Sequence, residues 1–401
     1  MDNINGIDSQ IEYNRTMTIS ALAAGICVSS GGLHALSVAL ATPRCMRGDL
    51  RTPPPKDAPA VSIVQPLCGV EAFSRQTLRS IFTLDYPNYE IIFCLASADD
   101  PIAPLVSRAI EANPERPARL LIGDDKVSAN PKLNNVVKGW KAARHDWVVM
   151  ADSNVLMPPD YIQRLLARWR PNTGIVCAPP IGSQPKNFGA EVECAFLNTY
   201  EARWQYAADA AGLGFAQGKT MLLRRDIIEA GGGIEALGAE IAEDAAATKL
   251  IHAQGYDAHL VSRPFQQPLG ARRLKDVWSR QLRWARLRRA TFPLHFLPEI
   301  LTTSLLMIGA AAFAAPEFEL SVWSSVALAA IFWYTAEAFL AAVAGWPLSW
   351  RSAPALMVRD ILLPALWCTA WTGRAIVWRG NAMSVDEAVL GEAASGPPRR
   401  L

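Results

Sequence analysis

An α/β domain with a mostly parallel sheet and helices on both faces, carried on a few membrane segments, is the fold class this sequence predicts. Three observations predict it. Short apolar runs alternate with helical stretches through the middle of the chain, an order that builds a parallel sheet covered on both sides. A run without formal charge extends from Met17 to Ala41, long enough at about 25 residues for one bilayer crossing. Of the 401 residues, 51% are hydrophobic, which is high for a soluble enzyme and low for a channel. The formal net charge of +2 gives no global field to draw in nucleic acid, so basic clusters act locally. The seven cysteines are scattered and form no C-x-x-C pair, which argues against a zinc site or a disulfide framework and for a reducing compartment.

Taken in order, residues 1–16 are polar and expected to be disordered. The run at 17–41 is read as a transmembrane anchor rather than a cleaved signal peptide, because it exceeds an ordinary h-region and lacks a strongly basic start. Arg44, Arg47, Arg51 and Lys56 follow it, whereas Asp2, Asp8 and Glu12 precede it, so the positive-inside rule sets everything after Ala41 in the cytoplasm. Residues 42–59, with Thr52-Pro53-Pro54-Pro55, form a linker. Within 60–270, Val61–Val64, Ile91–Leu95, Leu120–Ile122, Trp147–Met150 and Ile175–Cys177 read as buried strands. Phe73–Phe82, Ala103–Glu111, Leu133–Ala143 and Ala245–Gln254 read as helices.

Residues 271–293 read as an amphipathic interfacial helix. Arg280, Arg283 and Trp284 fall at i, i+3 and i+4 on one face, and Leu274, Trp278 and Leu282 fall on another that meets the bilayer. Arg286, Arg288 and Arg289 are assigned to anionic lipid headgroups. Residues 294–380 hold the C-terminal membrane segments. Spans at Leu297–Ala315 and Leu320–Gly345 are joined by the acidic turn 316–319, which belongs outside. Pro354–Thr372 contains Arg359 and Asp360, and the basic residues at both its ends, Arg351, Arg374 and Arg379, argue for an interfacial or re-entrant helix, with a fourth crossing as the alternative. Residues 381–401 form the C-terminal tail, and the stretch after Val389 is expected to lack structure.

In sheets of this kind ligands sit beyond the C-terminal strand ends. Asp100 follows the second strand in Asp99-Asp100-Pro101, where a helix cap is an equal reading. Asp152-Ser153-Asn154 follows the fourth strand and puts two oxygen ligands on one side of a turn, suited to a hard divalent cation. Asp244, in Ala242-Glu243-Asp244, opens a helix, either as a favourable partner of its dipole or as a general base. The stretch Gly212 to Thr220 approaches a phosphate loop, but Leu213 stands where G-x-x-x-x-G-K-[ST] needs glycine, so an ATPase is rejected.

Together with Arg280-Gln281-Leu282-Arg283-Trp284, these acids match in order and spacing the D, D, D, (Q/R)-x-x-R-W signature of inverting GT-A glycosyltransferases. The chain resembles the ceramide glucosyltransferase family over roughly residues 17–390, in stretches such as "PLCGVE", "LDYPNYEIIFC", "NPKLNNVVKG" and "GKTMLLRRDIIEAGGG". The resemblance implies a GT-A fold and transfer of a hexose, glucose foremost, from a UDP-sugar to the primary hydroxyl of ceramide. It implies that Asp100 contacts the uridine, helped by Lys132 and Asn134. Asp152 would bind the diphosphate through a divalent cation, Mg²⁺ or Mn²⁺, with Asn154 as a second ligand. Asp244 would be the catalytic base, and Arg280, Arg283 and Trp284 would close over the leaving diphosphate. Ser97 stands where relatives often carry another acid, and Gln65 where a lysine is usual, which bears on the identity of the sugar.

The chemistry suits these residue types on its own terms. Negative charge grows on the leaving diphosphate, where a cation and arginine forks stabilise it. A carboxylate on the opposite face takes the proton of the attacking alcohol, which delivers the sugar with inversion. Left open are another UDP-sugar, another lipid acceptor such as a hopanoid or diacylglycerol, a polysaccharide synthase, for which the spans are few, and a non-catalytic nucleotide-sugar binder. The expected partners are a UDP-sugar, ceramide and the bilayer, without nucleic acid. The alanine- and arginine-rich composition points to a bacterial inner membrane.

Overall fold

The computed structural model describes residues 2–46, 52–373, 375–378 and 381–384. After the helix α1 (Asp2–Cys45) the chain alternates as expected: β1 (Val61–Pro66), α2 (Ser74–Phe82), β2 (Tyr89–Leu95), α3 (Ala103–Glu111), β3 (Ala118–Ile122), α4 (Pro131–Ala142), β4 (Trp147–Ala151), α5 (Tyr161–Leu166) and β5 (Thr173–Cys177). It continues through β6 (Ile181–Pro185), α6 (Phe188–Cys194), a π-helical stretch at Ala195–Ala202, α7 (Arg203–Ala210), β7 (Thr220–Arg224), α8 (Arg225–Ala230), α9 (Glu243–Ala253), β8 (Asp257–Leu260) and β9 (Gln266–Gly270). The rest is α10 (Leu274–Thr291), α11 (Pro293–Phe296), α12 (Ser304–Ala314), α13 (Val322–Ala344), α14 (Ser352–Trp371), β10 (Ala375–Trp378) and β11 (Asn381–Ser384).

Seven strands form one sheet in the order β3-β2-β1-β4-β7-β5-β8. Strand β1 runs parallel to β2 and β4, β2 to β3, and β5 to β8, while β7 is antiparallel to both its neighbours. Side chains alternate across the pleat, so each strand feeds two cores. Val64, Ile92, Val148 and Met150 pack on one face against Leu133, Val136 and Trp140 of α4. Ile63, Ile91, Phe93 and Val149 pack on the other against Leu78 and Ile81 of α2 and Val106 of α3. Because β7 enters the sheet from the edge where β4 leaves it, Lys219 and Asp152 become neighbours, and the Asp152 N–H donates to the Lys219 carbonyl at 3.0 Å.

Several membrane-side expectations are corrected. Helix α1 starts at Asp2, so residues 2–16, expected without structure, are helical. The linker is pinned to the domain: Arg44 donates to Asp209 Oδ2 at 2.8 Å and to the Leu260 carbonyl at 2.5 Å, and the Thr52 N–H donates to Asp160 Oδ2 at 3.2 Å. Arg47 and Arg51 lie outside the described residues. Among the described residues three helices, α1 from Met17, α13 and α14, are long and apolar enough to cross a membrane. The expected span at 297–315 is bent by 49° between Pro293–Thr302 and Ser304–Phe318, and counting that pair as one span brings the number to four. Extended backbone at Thr303 makes the break.

Arg359 and Asp360, the charges inside the segment at 354–372, are fully buried and paired within the protein. At the start of the C-terminal tail β11 pairs antiparallel with β10, and the stretch after Val389, expected to lack structure, lies outside the described residues. On α10, Trp278 and Leu282 pack against Leu363 and Leu366 of α14, so two of the three side chains assigned to the bilayer are covered by protein, while Leu274 stays exposed. The three arginines assigned to lipid headgroups have protein partners too. Arg288 forks onto Glu299 at 2.8 and 2.9 Å, Arg286 donates to the Ala375 carbonyl at 2.6 Å, and Arg289 donates to the Gly373 carbonyl at 3.3 Å.

Candidate active site

Asp152 leaves the C-terminal end of β4 into a pocket of charges. Lys132 Nζ lies 2.7 Å from its Oδ1, and Lys219 Nζ lies 2.8 Å from its Oδ2. Burial alone raises the Asp152 carboxyl, but the two ammonium groups outweigh it and hold the group well below the usual carboxylate range. Lys132 sits in the first turn of α4, which Asn130 caps by accepting from the N–H groups of Lys132 and Leu133 at 2.8 and 3.2 Å. Its ammonium also reaches Glu243 Oε1 at 2.6 Å and donates to the Gly218 carbonyl at 2.6 Å. Burial works against that charge, and Asp152 and Glu243 overcome it, so Lys132 stays protonated.

Glu243 and Asp244 open α9. Glu243 accepts from Asn130 Nδ2 at 2.7 Å, so both its oxygens are engaged. Asp244 Oδ2 accepts from the Gly218 N–H at 2.8 Å, and its Oδ1 from the Ala245 N–H at 2.9 Å. Burial, followed by the neighbouring charge of Glu243, pushes the Asp244 carboxyl up to about 6. Gly218 is the hinge of the cluster. A Cβ there would stand 3.0 Å from Asp244 Oδ2, 3.0 Å from Glu243 Oε1 and 3.3 Å from Lys132 Nζ, so a side chain would have to push these charged groups aside.

The sequence-derived set is therefore brought together in part. Asp152, Asn154, Lys132 and Asp244 converge around Gly218. Asn154 Oδ1 accepts from Lys219 Nζ at 3.2 Å. Arg280 pairs with buried Glu193, which also faces Arg272 at 3.5 Å, and is close enough to Lys219 to bear on its charge. Trp284 packs on Ala190, Cys194, Leu197 and Leu269 beside that pair. Asp100 stands at the end of β2, two strands from Asp152. It accepts from the Gly69 N–H with both oxygens at 3.0 Å and from the Ile102 N–H at 2.9 Å, which ties the loops after β1 and β2 together. Asn134, expected to help with the nucleotide, uses its amide on the 127–128 loop instead, accepting from the Val127 and Ser128 N–H groups at 3.1 and 3.0 Å.

Asp152 Oδ2 and Asn154 Oδ1 aim at one point, which the Lys219 ammonium marks. That pair fits a divalent cation that completes its shell with phosphate oxygens. Among the described residues no group of three or more His, Cys, Asp or Glu side chains is arranged to hold a metal by itself. Sequence reasoning missed Lys219, Glu243, Asn130 and Glu193. Lys219 was legible only as part of the rejected phosphate loop, and Asn130 as a cap three residues ahead of Leu133.

An α/β domain with acids and cations gathered at its strand ends, set beside helices long and apolar enough to cross a membrane, is suited to a charged ligand handled at a membrane surface. The model of glycosyl transferase family 21 matches residues 29–389, and the chain belongs to that family. It is a glycosyltransferase. It is 26% identical to ceramide glucosyltransferase 1 of Caenorhabditis elegans over 344 residues, 83% of this chain and 73% of the relative. To ceramide glucosyltransferase 3 of the same organism it is 24% identical, over 80% of this chain and 72% of the relative. A mannosyltransferase from Pyrobaculum calidifontis, solved in complex with GDP-Man and Mn²⁺, covers 88% of this chain and 98% of its own with a TM-score of 0.50 at 19% identity. That likeness shows the shared GT-A fold.

Proposed function

We propose that this enzyme moves glucose from UDP-glucose to the primary hydroxyl of ceramide, with inversion, at a site on the cytoplasmic face of a bacterial inner membrane. The observation that carries the reading is the meeting of Asp152 and Asp244 around Gly218, beside the arginine helix α10. Ceramide as acceptor rests on the named relatives. Bound by Asp152 and Asn154, a divalent cation, Mg²⁺ or Mn²⁺, supplies neutralisation of the diphosphate. Lys132 holds the Asp152 carboxylate ionised and in place. Arg280, held by Glu193, and Arg283 are assigned to the charge that develops on the leaving group, as the resemblance implies. Asp100 positions the loops against which the uridine would lie.

Asp244 accepts the ceramide hydroxyl proton. A base that titrates near 6 is ionised at neutral pH yet still basic enough to take a proton in the transition state. Because the ionised form is the active one, kcat/KM is expected to fall about tenfold per unit below pH 6 and to level off above it. A profile flat from pH 5 to 8 would contradict this assignment. The reaction itself is tested with the purified chain in nanodiscs, offered labelled UDP-glucose, UDP-galactose or UDP-glucuronate with ceramide or diacylglycerol. A β-glucosylceramide product is expected, and labelled diacylglycerol alone, or no lipid product, contradicts the acceptor.

A further inference from the structure

Lys219 directs its ammonium at the same two oxygens that the cation would use. Its Nζ lies 2.8 Å from Asp152 Oδ2 and 3.2 Å from Asn154 Oδ1, and the side chain is only 15% exposed. The placement is not a loose surface contact. Lys219 precedes β7, and its own carbonyl accepts the Asp152 N–H, so the two residues are joined through backbone and side chain alike. Lys132 holds the other oxygen of Asp152. A bare divalent cation arriving at this pair would meet an ammonium at contact distance in a poorly solvated pocket, where like charges repel strongly. A diphosphate changes that balance, because it brings oxygens for the cation and a new anionic partner for the displaced lysine.

We propose that Lys219 and a divalent cation alternate at the Asp152–Asn154 pair. The lysine holds the pair in the nucleotide-free enzyme and swings onto the diphosphate when the cation enters with the nucleotide. The cation therefore binds together with the donor and not ahead of it, and the empty site is protected from metal loading. The proposal rests on the reading that the site takes a nucleoside diphosphate with its cation, but its first test uses the metal alone.

The experiment titrates Mn²⁺ into the full chain in nanodiscs and follows loss of the free-ion electron paramagnetic resonance signal. Without nucleotide, Lys219→Met is expected to bind Mn²⁺ about tenfold or more tightly than wild type, the scale of removing one like charge from the site. Lys219→Arg is expected to keep the wild-type weakness, since a guanidinium spans the same two oxygens. Added UDP should bring wild type close to the Met variant. Equal Mn²⁺ affinity of wild type and Lys219→Met without UDP, or no Mn²⁺ uptake by either, overturns the proposal. A tight Met variant whose wild-type counterpart gains nothing from UDP supports the competition and counts against the nucleotide reading instead. Should Lys219→Met not fold, Lys219→Gln removes the same charge, keeps a hydrogen bond to Asn154, and carries the same comparison.

Discussion

Asp244→Asn is expected to lower kcat by about 10³-fold, within the range that general-base removal reaches, with UDP affinity nearly unchanged. The amide keeps the shape of the carboxyl and can still accept from the Gly218 N–H, now 2.8 Å away, so the turn around Gly218 stays in place. What disappears is the proton acceptor. Glu243, next in the chain, cannot stand in, because one of its oxygens is held by Lys132 and the other by Asn130. Asp152→Asn differs in kind: it removes the carboxylate facing two lysines and is expected to impair donor binding as well as turnover. Isothermal titration with UDP alongside single-turnover glucosyl transfer separates the two. If Asp244→Asn keeps more than about a tenth of wild-type turnover, the base lies elsewhere.

Much of this site was readable because its anchors obey local rules. Apolar runs such as Ile91–Leu95 and Trp147–Met150 can only be buried strands when helices flank them, and the acids that follow them then fall at one edge. Strand β7 escaped notice because Thr220–Arg224 lies antiparallel in a sheet that alternation predicts to be parallel. Its insertion is a long-range pairing with no local signature, and it is what carries Lys219 to Asp152. Glu193 was invisible for a similar reason, since its meaning comes from Arg272 and Arg280 on another part of the chain. The basic helix shows the opposite failure. Its arginines were read as facing lipid because charge at a membrane boundary usually meets headgroups, whereas Glu299 and the carbonyls of Gly373 and Ala375 receive them.

Glu337→Ala is expected to destabilise the folded protein by about 3–5 kcal/mol, the cost of leaving buried charge without its partner. Arg359 forks onto the two Glu337 oxygens at 2.8 and 3.1 Å and donates to Asp360 Oδ1 at 2.9 Å and to Thr199 Oγ1 at 2.9 Å. Arg203, just after the π-helical stretch, lies 3.6 Å from Glu337 and donates to Ser37 of α1. Two arginines and two carboxylates thus balance in a set whose side chains are 0–1% exposed, and the set joins α1, α13 and α14 to the catalytic domain. Such pairs are weak evidence for net stability as a unit, but removal of one member leaves the others uncompensated where no water can reach them. Asp276→Ala supplies the contrast, because its pair with Arg273 has side chains 44% and 82% exposed and its loss should go undetected. Thermal unfolding in detergent, followed by near-ultraviolet circular dichroism, reads both variants. An unfolding temperature for Glu337→Ala equal to that of Asp276→Ala would mean that the four charges do not hold the membrane helices to the domain.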